Sequence, residues 1–410
     1  MQTTDKNNFL RAEAELILDD ARKAKAEKIK DLGEPIQLTG IALDLHIRDN
    51  YAWIAENAAV IRKVDLESGK TVQLLKGHTA PVTALAFYDK TLGSSDGKLL
   101  ISGSWDKTIK IWNPENRQLL SSTDAHSDFV KALLVIPSLR LLVSSSSDKI
   151  VRFWDLSAFV EGQPLPSAGS ISAHTRPVEA LAFRPVSDES AVLYTADTMG
   201  IVKVWELEKE AGTPTRWRAI QKDEFTHHRT KIHEALYGAG QLWTASADET
   251  AQAKYDPPQE AKSEARPMPA ITHPAAVRAV LPLLATPLAE PYLLTGSGDV
   301  IRAYDISSPD EPELLGEVDG HWHDVTVLRL WMRRSTVDNE PGKVKVEPWI
   351  VSASLDGTVR KWKLLDLLHP PKRVAKTEEA APPPPKKEAK EPFGLTEDEE
   401  RELAELMDDD

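Results

Sequence analysis

Three sets of residues in this 410-residue chain have the types needed for nucleophilic or acid–base chemistry. They are His78, Ser102 and Asp106; His126, Ser144 and Asp148; and His321, Ser352 and Asp356. A Ser, a His and an Asp within mutual reach can turn the hydroxyl into a nucleophile. In all three sets Asp follows Ser by four residues and precedes a Trp (Trp112, Trp154, Trp362) by six. Recurrence at fixed offsets favours a structural unit over a catalytic one. Other catalytic signatures are missing: no G-x-S-x-G elbow, no phosphate-binding glycine loop and no H-E-x-x-H. The chain has no cysteine, so it offers no thiol nucleophile, thiolate zinc site or disulfide. His227, His228 and His233 have no carboxylate triad beside them, and Gly296-Ser297-Gly298 falls where a strand meets a turn. These residues lead us to expect no enzyme, no metal and no cofactor.

Composition bounds the class. Apolar residues make up 41 %, enough for a sizeable core, and the net charge is −14. That charge weighs against a generic binder of nucleic acid or anionic membrane, which needs excess Lys and Arg. Met1–Asn8 is polar and shows no signal peptide. The longest apolar-looking stretch, Ala275–Leu294, is broken by Arg278, Pro282, Pro287, Glu290 and Pro291. A soluble protein of the cytoplasm, the nucleus or both is expected.

The elements that must position these residues repeat. A His after a small residue precedes an apolar strand, a Ser/Thr-rich strand, an Asp turn and a strand ending in an aromatic. The His positions are 78, 126, 174, 228, 273 and 321, spaced 45 to 54 residues apart. The closing strands end at Trp112, Trp154, Trp205, Tyr255, Tyr304 and Trp362, and a weaker first copy closes at Lys63-Val64-Asp65. In the second copy, four strands are predicted at Val82–Phe87, Leu99–Ser102, Ile109–Trp112 and Leu119–Ser122. Short Val/Ile-rich strands cannot bury both faces alone, but radial stacking buries them.

This pattern resembles the WD-repeat (WD40) β-propeller family over roughly residues 34–368. The resemblance implies an all-β fold with seven blades. It also implies that each His, Ser/Thr, Asp and Trp form a buried tetrad, in which Asp orients His, His donates to the hydroxyl and the hydroxyl meets the indole N–H. The fourth copy departs from the pattern, with Met199 at the Asp position and Asp197 two residues early. The fifth lacks the Trp, the sixth is one residue short around Asp299, and the first lacks both His and Trp. Those four blades are expected to be less rigid. The segment Glu34–Thr39 is expected to supply the missing fourth strand of the last blade.

The resemblance further implies an interaction platform rather than a catalyst. Its rim is lined by the residue opening each first strand (Pro81, Phe129, Pro177, Ala276, Asp324) and the residue before each turn Asp (Trp105, Ser147, Ala247, Leu355). Trp105 and Phe129 are the candidate partner-binding anchors, with Trp322 and His323 as a lesser extension. The W-D-x-R motif of ligase-linked members is absent, since Trp154-Asp155 continues Leu156-Ser157.

Four segments follow. Residues 1–33 hold an amphipathic helix over Phe9–Lys30, with a stripe at Leu10, Ala14, Ile17, Ala21 and Ala24 that either packs on the propeller or binds a partner. Residues 34–368 form the propeller, and 369–392 a disordered Pro/Lys/Glu linker. Residues 393–410 form a short acidic helix with a strip at Leu403, Leu406 and Met407; its last fifteen residues carry nine acids and one Arg. The reading is a non-enzymatic scaffold or adaptor, monomeric apart from its complexes, that binds proteins through the rim and the acidic helix. The alternative is an escort of a basic protein such as a histone or ribosomal protein.

Overall fold

The computed structural model describes residues 13–89, 98–256, 268–308, 310–336 and 344–370. Among them, 28 strands form seven four-stranded antiparallel sheets. The chain is a seven-bladed β-propeller. First strands of successive blades neighbour one another around the ring, and blade one closes against blade seven. Blade two shows the common plan, with strands Val82–Asp89, Lys98–Ser104, Thr108–Trp112 and Leu119–Asp124. Each predicted strand of that blade lies within the observed one.

The blades are held by the side chains between them. Val143 and Phe153 of blade three meet Leu181, Leu193 and Trp205 of blade four in one buried cluster. Each large apolar side chain taken fully out of water contributes about 1.5–3 kcal/mol. Turn chemistry fixes where the second strand ends. The Asp106 Oδ1 accepts the backbone N–H of Thr108 at 3.0 Å and its hydroxyl at 2.7 Å. Lys107, between them, takes a left-handed φ of 71°. Blade seven repeats the arrangement with Asp356 and Thr358 around Gly357, whose φ is 76°.

Ring closure follows from the N-terminal segment. β1 (Ile36–Gln37) pairs with Val359 and Thr358, so it is the fourth strand of blade seven, as expected of Glu34–Thr39. The Gly33 carbonyl accepts from Lys361 N–H at 2.7 Å. A Cβ at Gly33 would stand 2.6 Å from the Trp362 ring, and its φ is 70°, so glycine is needed on both counts.

Before this strand lies α1 (Glu13–Lys28). Its contacts differ from the predicted stripe. Ile17, Ala21 and Ala24 are exposed, while Lys25, Ile29 and Leu32 make the attachment. The reason is polar anchoring: the buried Arg360 donates to the carbonyls of Ile29 (2.7 Å) and Leu32, so only the C-terminal end of the helix is tied down. Leu10 and the Ala14 side chain lie outside the described residues.

A second helix, α2 (Leu364–Leu368), was not foreseen; it follows the last strand and buries Leu364, Leu367 and Leu368. The linker beyond Pro370 and the acidic segment with Leu403, Leu406 and Met407 lie outside the described residues. No described helix is long and apolar enough to cross a membrane.

Candidate functional site

The three residue sets of the opening argument come together in blades two, three and seven. In blade two, His78 Nδ1 lies 2.8 Å from Asp106 and Nε2 lies 2.8 Å from Ser102 Oγ, which accepts the Trp112 indole N–H at 2.8 Å. Blade three repeats this with His126, Asp148 (3.0 Å), Ser144 (2.8 Å) and Trp154 (2.9 Å). Blade seven does so with His321, Asp356 (2.8 Å), Ser352 (2.8 Å) and Trp362 (2.9 Å). All three Ser residues are 0 % exposed, which leaves a substrate no approach to their hydroxyls.

Electrostatics favours the neutral imidazole at His126 and His321. Burial lowers the pKa of His126 and His321 despite their carboxylate partners. Burial would raise Asp106, but hydrogen bonds from His78 and Thr108 outweigh it and hold the carboxylate ionised. At His126 and His321 the neutral imidazole has one N–H, and the carboxylate takes it at Nδ1. Nε2 then accepts from the hydroxyl, which reverses the expected His-to-hydroxyl donation. The chain of donors runs from indole to hydroxyl to imidazole to carboxylate, and every buried polar atom in it is paired.

The irregular blades solve the same problem differently. In blade four, Asp197 lies 3.2 Å from His174 Nδ1, Thr195 lies 2.7 Å from Nε2, and Trp205 donates to Thr195 at 2.8 Å. The tetrad is complete because Asp197, at the end of the second strand, also accepts the N–H groups of Met199 and Ile201. In blade five, His228 bridges Asp248 (3.0 Å) and Thr244 (2.7 Å), and His227 Nε2 takes the indole's place 3.1 Å from Thr244. Burial, then the adjacent His228 and Lys254, lower the His227 pKa to about 3. In blade six, His273 Nδ1 turns to the Ile271 carbonyl, and Asp299 binds Lys25 of α1 instead. Lys25 also reaches Asp319. Blade one fills the place with a buried pair of Arg62 and Glu56.

Above these units lies the rim. In every blade the residue before the turn Asp position donates its N–H to the carbonyl at the head of the first strand, as Trp105 does to Pro81 (3.0 Å) and Ser147 to Phe129 (2.9 Å). This pairing makes the two predicted rim sets neighbours. Trp105 and Phe129 stack across blades two and three, with ring centroids 5.0 Å apart and planes 20° apart. Even stacked, they remain 38 % and 39 % exposed. Trp322 is half-buried beside His323, 6.3 Å between ring centroids, and its N–H faces Asp356.

Each first strand carries a bulge, and four of the bulge positions hold ionisable groups: Lys131, Glu179, His233 and Arg278. Glu179 pairs with Lys131 (3.3 Å) and Lys231 (3.1 Å), and Arg278 with Asp324 (2.8 Å). One residue set escaped the sequence reading. Arg329 of blade seven bridges Glu234 of blade five (2.8 Å) and Asp44 of blade one (3.6 Å). Burial works against ionisation of Asp44, but His46 and Arg329 lower its pKa to about 2. A signal existed: Asp44 and Glu234 occupy the strand position held by Ala84, Ala132, Ala180, Ala279 and Val327 elsewhere.

The fold is a seven-bladed propeller whose recurring polar unit is similar to that of WD40 repeats. The model of the WD domain, G-beta repeat, matches residues 69–113 and 117–155, the two stretches that contain Trp105 and Phe129. Over 378 residues the chain is 26 % identical to an uncharacterised WD repeat-containing protein of Schizosaccharomyces pombe, covering 89 % of this chain and 90 % of that one. Shorter matches include the small ribosomal subunit protein RACK1y of Oryza sativa, 31 % identical over 33 % of this chain and 36 % of that one. Pre-mRNA-processing factor 19 homolog 2 of Arabidopsis thaliana is 31 % identical over 41 % and 30 %. The chain carries WD40 repeats and is homologous to WD-repeat proteins, which generally serve as protein-interaction scaffolds.

Proposed function

We propose that this protein is a non-enzymatic scaffold whose rim at blades two and three binds partner proteins. One observation carries the reading: two large aromatic rings stand exposed on turns that complete hydrogen-bonded units hold in place. Rigid, exposed aromatics lose little entropy on binding and anchor interfaces. The tetrad residues support it by being structural, since their hydroxyls are sealed from solvent. Residues 396–410, with Leu403, Leu406 and Met407, serve as a second docking element. The cytoplasm or nucleus is where such a cysteine-free chain would work.

The test compares partners captured from native lysate by the full chain, a Trp105→Ala/Phe129→Ala double variant and a Val160→Ala control, which alters another exposed apolar residue. Partners lost only in the double variant are expected. Identical recovery by all three removes the rim from recognition. The escort reading draws on the nine acids of residues 396–410. It predicts binding of a basic protein that weakens with salt and disappears when 396–410 are deleted.

A further inference from the structure

The apolar stripe of α1 faces water. Ile17, Ala21 and Ala24 recur at spacings of four and three, so they share one face of the helix, and all three are exposed. Ile17 is 62 % exposed, and Leu18 beside it 57 %. The propeller holds the helix by other residues: Lys25 reaches Asp299 and Asp319, and Ile29 is buried with its carbonyl on Arg360. Charge is divided along the same helix. Its first eight residues carry four acids (Glu13, Glu15, Asp19, Asp20) and no base. Its last eight carry four bases (Arg22, Lys23, Lys25, Lys28) and one acid, Glu27. The division suits the helix dipole, but the dipole gives no reason to leave Ile17 and Leu18 in water.

We propose that α1 pairs antiparallel with α1 of a second copy of this chain, in place of the monomer expected from the sequence. A two-fold axis near Ala21 sets the acidic half of each helix beside the basic half of the other, whereas a parallel pair sets like charges together. Ile17 of each copy packs over Ala21 and Ala24 of the other, where small side chains let the helix axes approach to about 8 Å. Asp20 and Lys23 pair within one helix at 3.5 Å, with side chains 81 % and 78 % exposed, so they can exchange for the same groups across the axis at little cost. A second copy supplies both the stripe and the reversed charge order. The interface is small, so a dissociation constant on the order of 10–100 μM is expected. The dimer presents two rims at once, a consequence that rests on the rim reading; the pairing itself does not, because none of its residues belongs to the rim.

The test uses the full chain in sedimentation equilibrium, which should show a reversible exchange between one and two copies. Ile17→Asp, a change at an exposed position, should weaken association at least about tenfold, because pairing would bury a carboxylate. Val160→Asp, the same kind of change at another exposed apolar residue, should leave it intact. Orientation is read by cross-linking, which the absence of native cysteine makes unambiguous. Ile17→Cys mixed with Ala24→Cys should form the mixed disulfide at several times the yield of either variant alone, and Val160→Cys gives the background of random collision. A chain that stays monomeric up to about 500 μM, an association that Ile17→Asp leaves unchanged, or cross-links confined to like variants overturns the proposal.

Discussion

Blades two and three and blades six and seven carry the same repeat and use it differently. In blades two and three the turn Asp residues face inward to His78 and His126, and the rim above presents Trp105 and Phe129 to solvent. In blade six the turn Asp faces outward, and Asp299 and Asp319 hold Lys25 of α1. Blade seven keeps its tetrad but gives Arg360 to the end of that helix. Blades two and three thus use their turn carboxylates internally and present aromatics on the rim, while blade six frees its turn carboxylate for attachment. The added helix is held jointly by the freed Asp299 of blade six and by Arg360 beside the intact tetrad of blade seven.

The comparison breaks most sharply at the paired carboxylates. Asp148→Ala removes the acceptor of His126 and of the Ile150 turn N–H, and should cost on the order of 3 kcal/mol in urea unfolding. Asp299→Ala should cost no more than about 1 kcal/mol, because its partner Lys25 is an attachment rather than a core group. Its effect should appear instead as faster proteolysis within α1, without change in the propeller's protection. Equal losses from both substitutions would erase the distinction between the regions.

Acid should act next. The folded state lowers the pKa of His126, His227, His228, His233, His273 and His321 below the ordinary value of 6.5. The unfolded chain therefore binds protons first as pH falls. Stability is full above about pH 6.5 and declines below it, toward about 4 for His273 and about 3 for His227 and His233. The carboxylates Asp106, Asp148, Asp197, Asp248 and Asp356 are also depressed, so their share is lost only below about pH 4. Denaturant midpoints measured between pH 7.5 and 4.5 should fall steadily. A stability maximum near pH 5 would contradict the neutral-histidine assignment.

The smallest effect on stability should come from the rim itself. Trp105→Ala/Phe129→Ala removes rings already more than a third exposed and should shift unfolding by about 1 kcal/mol or less, while abolishing recognition. A large loss of stability would mean that the stack closes the interface between blades two and three.

Much of this was legible from residue order. Six His marks at near-constant spacing, with Ser and Asp four apart in three copies, marked the repeat; its resemblance to WD repeats implied the propeller, and the gap after Trp362 pointed to Glu34–Thr39 for closure. The adjacency of Trp105 and Phe129 followed from their repeat positions. Three-dimensional compensation was not legible. Asp197 serves a tetrad from an offset that the regular copies do not use, and His227 replaces an indole from the preceding loop. The α1 stripe misled because the helix is fixed by carbonyl capping and a lysine, forces that apolar periodicity does not report. Arg329 escaped because its partners lie 95 and 285 residues away, on blades that meet only in the closed ring.

Amide hydrogen exchange on the full chain, with and without a partner captured through the wild-type rim, tests the central claim most directly. The account predicts new protection at the turns around Trp105 and Phe129, residues 104–107 and 126–130, and none in α1. Protection confined to α1 or to the blade-seven hairpin, with those turns unchanged, would contradict it.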